Sequence, residues 1–252
     1  MESSSIAGKA VLVTGASRGI GLAIARKLAS LGAGVCVTAR GPDGLAQAVA
    51  ELESVGDVIG IAGKADDRAH QEAAVTAVME RFGRLDFLVN NAGTSPHFGP
   101  LMDAQISAVT KTFAVNVIAP VAWTQLAWSA WMSEHGGAVL NVASTGGIRP
   151  APSIGAYNVS KAAMIHLTQQ LAVELGPKVR VNAIAPGLVK TQFARPLYEG
   201  NEAELAGLFP MKRLGEPDDI GGAAAFLLGG QASWITGAIL VVDGGELTVT
   251  GI

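Results

Sequence analysis

The sequence predicts an α/β fold in which a parallel, doubly wound sheet of about seven strands carries helices on both faces. Three observations predict it: short apolar runs, segments of helical period between them, and a length that suits one large domain. The chain has 252 residues, too few for a second substrate domain of similar size. We therefore expect residues 1–252 to form a single domain of Rossmann type.

The predicted strands are short runs rich in Val, Ile, Leu and Ala. Their nearly continuous apolarity is typical of parallel strands, which are covered on both faces. These strands are residues 10–14, 34–39, 58–63, 86–90, 138–143, 179–185 and 238–242.

The predicted helices alternate with the strands, as a doubly wound sheet requires. They are residues 19–31, 43–55, 68–82, 104–133, 155–176 and 217–228. Residues 188–217 form the one long irregular stretch and are rich in Phe, Leu, Pro and Gly. A loop of that length in a compact domain is usually functional, so we expect a lid over a substrate site.

The charge balance argues against a polyanionic partner. The formal net charge is −3, the pI is about 5.8, and Lys and Arg are scattered along the chain. Two uncharged runs, 112–133 and 220–242, are interrupted by polar residues or glycines, so we expect neither to span a membrane. The expected partner is a small molecule, with no nucleic acid and no membrane.

Cysteine content and the start of the chain suit a cytoplasmic protein. Cys36 is the only cysteine, so no intrachain disulfide or thiolate metal cluster can form, and we expect no metal site. The start, MESSSIAGKAVLV, has no basic segment ahead of an apolar stretch, so we expect no signal peptide.

The apolar content favours a homo-oligomer. Hydrophobic residues make up 49% of the chain and charged residues only 15%, which is more apolar surface than one monomer readily hides. The run 112–133 carries Trp123, Trp128 and Trp131 and no charge on any face. A helix that is apolar all round needs cover on both sides, so we expect a partner subunit on one of them.

The stretch VTGASRGIG, residues 13–21, fits two kinds of site. Residues 15–19 match G-x-S-x-G, the turn that presents the nucleophilic serine of a hydrolase. The same stretch puts Gly15, Gly19 and Gly21 between the first strand and the first helix. There, glycines let the phosphates of a dinucleotide approach the positive end of the helix.

The order of residues along the chain favours the phosphate site. In α/β-hydrolases the acid and then the histidine of the triad follow the nucleophile toward the C-terminus. The serine here would follow the first strand, and all four histidines lie well before the C-terminus. They are His70, His97, His135 and His166. Ser17 then becomes a hydrogen-bond donor to phosphate.

Further motifs accompany this glycine turn. They are NNAG at 90–93, Ser144, Tyr157-x-x-x-Lys161, VRVNAIAPGLVKT at 179–191 and ITGAILVVDGG at 235–245. With Thr14-Gly-x-x-x-Gly-x-Gly21, they make nearly the whole chain similar to members of the short-chain dehydrogenase/reductase family. Within that family the chain resembles bacterial 3-oxoacyl-acyl-carrier-protein reductases. It also resembles carbonyl and retinal reductases, notably in GKADDR, SPHFGPLMD and APGLVKTQFAR.

Four residues are candidates for catalysis. Tyr157 and Lys161 share one face of a predicted helix, so we expect the lysine cation to lower the pKa of the phenol from about 10 toward neutrality. Ser144 ends a predicted strand at the sheet edge where such folds bind ligands. The resemblance implies that Ser144 orients a substrate carbonyl and that Lys161 also holds the nicotinamide ribose. It implies that Asn116 holds a water in a proton relay; a buried hydrogen bond at a helix kink is the alternative.

The resemblance also implies which residues hold a dinucleotide cofactor. They are Gly15, Ser17, Arg18, Gly19, Ile20, Gly21, Ala39, Arg40, Asp66, Asn90, Ala92, Gly93, Tyr157, Lys161, Pro186, Gly187, Val189 and Thr191. Asn90, Ala92 and Gly93 would face the adenine side, and Asp66 would read the adenine amino group. The adjacent Asp67 could equally be a helix cap.

The end of the second strand predicts NADP(H) rather than NAD(H). NAD-specific relatives carry an acid there, which binds the ribose hydroxyls and would repel a 2′-phosphate. In this chain Ala39 stands in that place, Arg40 follows it, and Arg18 in the glycine turn points to the same region. Two guanidinium groups could grip one phosphate.

These residues predict an NADP(H)-dependent oxidoreductase that interconverts a ketone or 3-oxoacyl carbonyl and a secondary alcohol. His97, Ile148 and Phe193 are the candidate substrate residues. The resemblance also implies a homotetramer, which is usual in the family. Two alternatives stay open: a carbonyl, retinal or steroid reductase rather than a 3-oxoacyl-acyl-carrier-protein reductase, and a catalytically silent NADP-binding regulator on the same fold.

Overall fold

A computed structural model of the chain describes residues 6–249. Seven strands form one parallel sheet in the order β3-β2-β1-β4-β5-β6-β7. They are β1 (Ala10–Val13), β2 (Gly34–Ala39), β3 (Val58–Ala62), β4 (Phe87–Asn90), β5 (Gly137–Val142), β6 (Val179–Pro186) and β7 (Ile239–Val242). The doubly wound sheet is confirmed, and its order reverses between β1 and β4.

Helices cover both faces of the sheet, as predicted. The principal ones are α1 (Gly19–Ser30), α2 (Pro42–Glu53), α3 (Arg68–Phe82), α4 (Ile106–Phe113), α5 (Ala119–Ala127), α6 (Ser133–His135), α7 (Gly155–Leu175), α8 (Arg195–Tyr198), α9 (Glu202–Leu208) and α10 (Pro217–Leu228). Apolar residues of α1, α2 and α10 share one buried cluster, whereas those of α3, α5 and α7 share another. The two clusters lie on opposite faces because neighbouring residues of each buried strand point to opposite sides.

The predicted helix 104–133 is observed as one helical run, Ile106–His135. It differs from a regular α-helix at two π-helical turns, Ala114–Ile118 and Trp128–Met132. Pro120, which has no N–H to donate, lies just after the first of these turns. By length and composition alone the run could cross a membrane, and 33% of its most apolar window is buried. Trp123 is fully buried in the α3, α5 and α7 cluster, so this part of the run belongs to the protein core.

Residues 188–217 are not wholly irregular, which corrects the sequence prediction. They contain α8 and α9, whose few turns are too short to produce a recognisable helical period. The two ends of the segment meet in a bridge between Val189 and Gly215. Lys190 pairs with Glu202, at 3.4 Å, and with Glu216, so the base of the segment is closed by charge as well.

Candidate active site

The carboxyl ends of β1, β4, β5 and β6 meet at one edge of the sheet. The glycine turn follows β1, NNAG begins within β4, Ser144 comes soon after β5, and residues 187–191 continue from β6. Ligands of doubly wound folds bind at this edge, beside the point where the strand order reverses. The fold therefore brings motifs that are distant in sequence to one cleft.

The glycines of the first turn are required by its geometry. Gly15 and Gly19 have φ angles of +65° and +59°, a region that side chains disfavour. A Cβ atom on Gly15 would lie 2.8 Å from the Cα atom of Ala92, and one on Gly21 would lie 2.7 Å from the carbonyl oxygen of Gly15. Larger residues would push the turn away from NNAG.

Asn91 ties the glycine turn to NNAG, a role that the sequence analysis missed. Its Nδ2 donates to the carbonyl oxygens of Thr14, at 2.8 Å, and Gly15, at 2.9 Å. In return, the Thr14 hydroxyl accepts the backbone N–H groups of Asn91 and Ala92, both at 3.0 Å. The second asparagine of the NN pair was the available signal for this role.

The N-terminus of α1 is open to an anion. No side chain caps it, and its first turn holds no acidic residue. Arg18, at the N-cap, and Arg40, after β2, are both exposed and form no ion pair with any residue in 6–249. Ala39 is buried at the end of β2, and a Cβ on Gly44 would lie 3.9 Å from the Cβ of Ser17, which places that serine near the start of α2. The charge and shape of this end suit a phosphorylated ligand.

Asp66 and Asp67 have different partners. Asp66 pairs with Lys111 at 2.5 Å. Asp67 caps α3, where its Oδ1 accepts the backbone N–H groups of Ala69, at 3.0 Å, and His70, at 3.4 Å. The helix cap is therefore Asp67, and Asp66 is not used in capping.

Two proposed cofactor residues point their side chains into the interior instead. Asn90 is buried and donates to Asn141, at 2.9 Å, and to Thr124, at 3.4 Å. Val189, at the base of the lid segment, is buried in the core cluster that contains α1, α2 and α10. The Asn90 side chain is thus directed toward Asn141 of β5 and Thr124 of α5, and the placement of this residue on the adenine side of a cofactor stays a prediction.

The other cofactor candidates border the cleft. Ile20 packs half-buried on the core beneath the turn. Thr191 lies close to the glycine turn, because a Cβ on Gly19 would be 3.2 Å from its Cγ2. A Cβ on Gly93 would lie 3.7 Å from Asn116 Oδ1 and 3.8 Å from Lys161 Nζ, so this glycine lies between the two. Pro186 and Gly187 follow at the end of β6.

Ser144, Tyr157 and Lys161 come together at the floor of the cleft. Lys161 is only 4% exposed, its Nζ donates to the carbonyl oxygen of Val142 at 2.6 Å, and that nitrogen lies 5.5 Å from the centre of the Tyr157 ring. Tyr157 is hydrogen-bonded to Ser144, whose Oγ also accepts the N–H of Gly146 at 3.1 Å. The first turns of α7 thus present the tyrosine and the lysine to the serine that follows β5.

The acid–base balance of this group differs from the sequence expectation. Burial raises the pKa of Tyr157 to about 12, although its hydrogen bond with Ser144 acts in the opposite direction. Burial also lowers the pKa of Lys161 to about 8. The expected lowering of the tyrosine pKa by the lysine is not seen in this ligand-free arrangement, because the largest influence on each group is the cost of burying its charge. The resting group is a protonated phenol.

Asn116 lies in the first π-helical turn and is fully buried. Its Oδ1 accepts the N–H of Thr94 at 2.8 Å, and its Nδ2 donates to the Thr94 carbonyl and to Ser160 Oγ, both at 3.0 Å. These bonds match the alternative role, a buried hydrogen bond at a helix kink. They occupy both N–H groups of the side chain.

The structure separates the three candidate substrate residues. Phe193, in the lid segment, is half exposed, and its ring centre lies 5.7 Å from that of Tyr157. Ile148 is exposed, beyond the turn that follows Ser144. His97 Nε2 lies 3.0 Å from the carbonyl oxygen of Pro100, within its own loop. Phe193 is thus the one of the three in ring contact with Tyr157.

The chain is similar in sequence to known oxidoreductases. The pattern of the family described as "Enoyl-(Acyl carrier protein) reductase" matches residues 15–246. Dehydrogenase/reductase SDR family member 4 of Homo sapiens is 42% identical over 247 residues, which cover 95% of this chain and 88% of that protein. The protein of the same name from Caenorhabditis elegans is 37% identical over 246 residues, covering 94% of this chain and 95% of the other.

Solved structures share the fold along almost the whole chain. A short-chain alcohol dehydrogenase described as putative, from Sinorhizobium meliloti, has a TM-score of 0.91 and 35% identity, covering 97% of this chain and 98% of that one. A 7 alpha-hydroxysteroid dehydrogenase complexed with NADH and 7-oxo glycochenodeoxycholic acid has a TM-score of 0.90 and 32% identity, with coverage of 96% and 95%. A blue fluorescent protein from a metagenomic library, in complex with NADPH, has a TM-score of 0.88 and 33% identity, with coverage of 96% and 99%.

Proposed function

Since the chain belongs to the short-chain dehydrogenase/reductase family, we propose that it is an NADP(H)-dependent oxidoreductase that interconverts a ketone or 3-oxoacyl carbonyl and a secondary alcohol. Family membership itself supports an oxidoreductase that acts on CH–OH or carbonyl groups with a nicotinamide cofactor. The observation that carries the rest is the cluster of Ser144, Tyr157 and buried Lys161 at the ligand-binding edge of the sheet. A regulator would not need a lysine buried beside a phenol.

The residues present fit NADP(H). The uncapped N-terminus of α1 offers backbone N–H groups and a positive helix end to a pyrophosphate. Arg18 and Arg40 are free for a 2′-phosphate, and Ala39 supplies no competing acid. An NADH complex and an NADPH complex both occur among similar structures, so the preference for NADP(H) rests on these three residues.

The chemistry follows from the positions of the side chains. NADPH, when bound, supplies a hydride that forms the new C–H bond at the carbonyl carbon. Ser144 donates a hydrogen bond to the carbonyl oxygen and orients it, while Tyr157 gives that oxygen its phenolic proton as the C=O π bond breaks. The raised pKa of Tyr157 keeps the phenol protonated before the reaction, as a general acid requires. Oxidation of the alcohol reverses each transfer.

Lys161 and Asn116 support the proton transfer. A cationic Lys161 stabilises the phenolate that Tyr157 becomes, which matters more in a site that excludes water. Asn116 fixes the kinked helix beside Gly93 and Lys161, and this kink would hold a water that links Lys161 to solvent in a proton relay. We assign it as the fourth catalytic residue on that basis.

An apolar carbonyl compound fits the entrance of the cleft. The lid exposes four large apolar side chains, those of Phe193, Leu197, Leu208 and Met211. Phe98 and Met102, in the loop after β4, are exposed as well. This rim favours a carbonyl, retinal or steroid type of substrate, with a 3-oxoacyl group as the other candidate, because apolar surface of this size gains from covering a fatty or polycyclic ligand.

We also propose that the protein forms a homotetramer. Ile106 and Ile118 are exposed on the long apolar helical run, and Trp234, after α10, is 99% exposed. Covering these side chains requires a second copy of the chain or another partner. Light scattering at micromolar concentration checks the proposal: a tetramer is expected, and a monomer would refute it.

Incubating the protein with NADPH and a panel of ketones and aldehydes tests the proposed activity. Loss of NADPH fluorescence that depends on the added carbonyl, together with a matching amount of alcohol product, is the expected result. A protein that binds NADPH but reduces none of the panel would instead fit the catalytically silent regulator.

A further inference from the structure

Glu246 is a mostly buried carboxylate that the proposed mechanism does not use. It begins a short helical turn, Glu246–Thr248, after β7, and its side chain is only 17% exposed. The turn lies at the same edge of the sheet as the catalytic residues. Burial raises the pKa of Glu246 and Asp243 acts in the same direction, while Arg149, Thr145 and Leu188 oppose it.

The carboxylate of Glu246 contacts two segments of the cleft at once. On one side, Thr145 Oγ1 donates to Oε2 at 3.3 Å, and Arg149 Nη2 lies 3.5 Å from Oε1. On the other, the carboxylate lies against the backbone of Gly187 and Leu188, and the backbone of Leu188 lowers its pKa. A Cβ on Gly187 would lie 2.6 Å from Oε2, so the carboxylate fits against this backbone because residue 187 is glycine.

Independent bonds hold the Glu246 turn in place. Asp243 accepts the N–H groups of Gly245 and Leu247, both at 2.8 Å. Arg149 Nη1 donates to the carbonyl oxygen of Val249 at 2.9 Å, beyond the far end of the turn. These bonds fix the backbone on both sides of Glu246, so its carboxylate can act as a clamp, that is, as a fixed link between the turn after Ser144 and the Gly187–Leu188 segment.

Both clamped segments adjoin the proposed reaction centre. Thr145 directly follows Ser144, whose hydroxyl is hydrogen-bonded to Tyr157. Gly187 and Leu188 lie in the segment of residues 186–191, in which Pro186, Gly187, Val189 and Thr191 match the residues that cradle nicotinamide in the family. Movement of one segment relative to the other would therefore displace the substrate carbonyl from the hydride.

We propose that Glu246 is a positioning residue: its carboxylate joins the turn after Ser144 to the Gly187–Leu188 segment and thereby fixes Ser144 relative to the nicotinamide site. The catalytic part of this inference rests on the proposed function. The joining of the two segments does not, since it is a property of the ligand-free protein.

Three full-length variants test the clamp. Glu246→Ala removes it. Glu246→Gln retains an oxygen that can accept from Thr145 but loses the ion pair with Arg149. Glu53→Ala is the matched control, because Glu53 ends α2 on the exposed surface and has no ion pair with any residue in 6–249.

Hydrogen exchange of the ligand-free proteins measures the clamp directly. Peptides covering residues 144–150 and 187–192 should both exchange faster in Glu246→Ala and to an intermediate extent in Glu246→Gln, while peptides covering residues 13–22 stay unchanged. Glu53→Ala should match the wild type throughout. Unchanged exchange of either clamped segment in Glu246→Ala would overturn the proposal, whether or not the wild type reduces a carbonyl.

Kinetics then separate positioning from mere stability. For a carbonyl that the wild type reduces, kcat of Glu246→Ala should fall by about ten- to a hundredfold because reacting groups misaligned by a fraction of an ångström react slowly. The Kd for NADPH should stay within about twofold, and Glu246→Gln should recover part of kcat. Faster exchange with unchanged kcat would refute the positioning role. A wild type inactive toward every carbonyl would refute the proposed function and the catalytic role of the clamp, leaving hydrogen exchange to decide the clamp itself.

Discussion

Two pairs of ionisable side chains in the cleft are held in opposite ways. Tyr157 and Lys161 are fixed before any ligand arrives: the lysine is 4% exposed and donates to Val142, and the tyrosine is hydrogen-bonded to Ser144. Arg18 and Arg40 are exposed and form no ion pair with any residue the structure describes. The first pair is positioned by the fold, whereas the second is left for a ligand to organise.

This difference matches two separate tasks: Tyr157 and Lys161 take part in the reaction, whereas Arg18 and Arg40 select the cofactor. Groups that move a proton in the transition state need a fixed geometry, and burial provides it at a cost in the free energy of unfolding. Groups that select a phosphate need only strong charge-assisted hydrogen bonds once the ligand is present. Changes in Tyr157 or Lys161 should therefore affect turnover, and changes in Arg18 or Arg40 should affect cofactor affinity.

The largest effect is expected from Tyr157→Phe, which removes the proton donor and keeps the ring. We expect kcat to fall by about 10² to 10⁴ while NADPH still binds with its normal Kd. Steady-state reduction of a ketone and NADPH fluorescence titration measure the two quantities. Near-normal turnover would contradict the proposed mechanism.

The chain offers a matched control for that substitution. Its other tyrosine, Tyr198, lies in the lid and donates to the carbonyl oxygen of Thr191 at 3.3 Å. Tyr198→Phe loses one neutral hydrogen bond on the lid, so its kcat should change by less than about tenfold. An equal loss of turnover in both variants would contradict the assignment of the Tyr157 phenol as the proton donor.

Arg40→Ala should weaken the binding of NADPH relative to NADH and leave the catalytic step unchanged. Loss of a charged hydrogen bond of about 1.5 to 3 kcal/mol weakens NADPH binding by about ten- to a hundredfold, and NADH binding should change little. Kd values for both cofactors, measured by fluorescence titration, test this. The control is Arg68→Ala, which removes an exposed arginine paired with Glu72 at 2.7 Å. Equal weakening of NADPH and NADH would show that Arg40 does not contact the 2′-phosphate.

Ala39→Asp, like Arg40→Ala, should reduce the preference for NADPH over NADH, in this case by adding an acid rather than by removing a base. A carboxylate at the end of β2 can accept hydrogen bonds from both ribose hydroxyls and repels a 2′-phosphate. We expect the ratio of kcat/KM for NADPH to that for NADH to fall by about tenfold or more. An unchanged ratio would place the 2′-phosphate elsewhere.

The smallest expected effect concerns stability. The pKa of Lys161 falls from 10.5 to about 8 because burial penalises its charge, so this cost is fully present below pH 8 and disappears as pH rises from 8 to 10.5. Lys161→Met removes the charge but also the bond to Val142, for a net gain of about 1 kcal/mol at neutral pH. Urea unfolding should show this gain at pH 7 and its loss or reversal above pH 10.5. A variant less stable at pH 7 would contradict the assigned burial cost.

Strands and long helices were predictable because their apolar pattern is local. The bounds of β1 to β7 were predicted to within one residue at each end from short runs of Val, Ile and Ala, and α10 was predicted at residues 217–228, as it is observed. The glycine turn and the α7 pair were predictable because chemistry and backbone geometry restrict which residues can stand there. Ser144 could be placed beside these residues only because it follows a predicted strand, whose carboxyl end lies at the ligand-binding edge of the sheet.

The remaining features depend on contacts between distant segments. The raised pKa of Tyr157 reflects the surroundings that the folded chain packs around its phenol, which the spacing to Lys161 does not encode. The inward side chain of Asn90 depends on the register of β4. Glu246 reaches Thr145 across 101 positions of sequence, and nothing near Glu246 distinguishes it from a surface glutamate.

The most direct test is kcat/KM of the wild-type protein for NADPH and for NADH with the same apolar ketone. The free arginines, the neutral Ala39 and the pairing of Tyr157 with the buried Lys161 predict reduction with both cofactors and a preference for NADPH of about tenfold or more. Equal or better use of NADH would contradict the cofactor assignment, and no reduction with either cofactor would contradict the catalytic assignment.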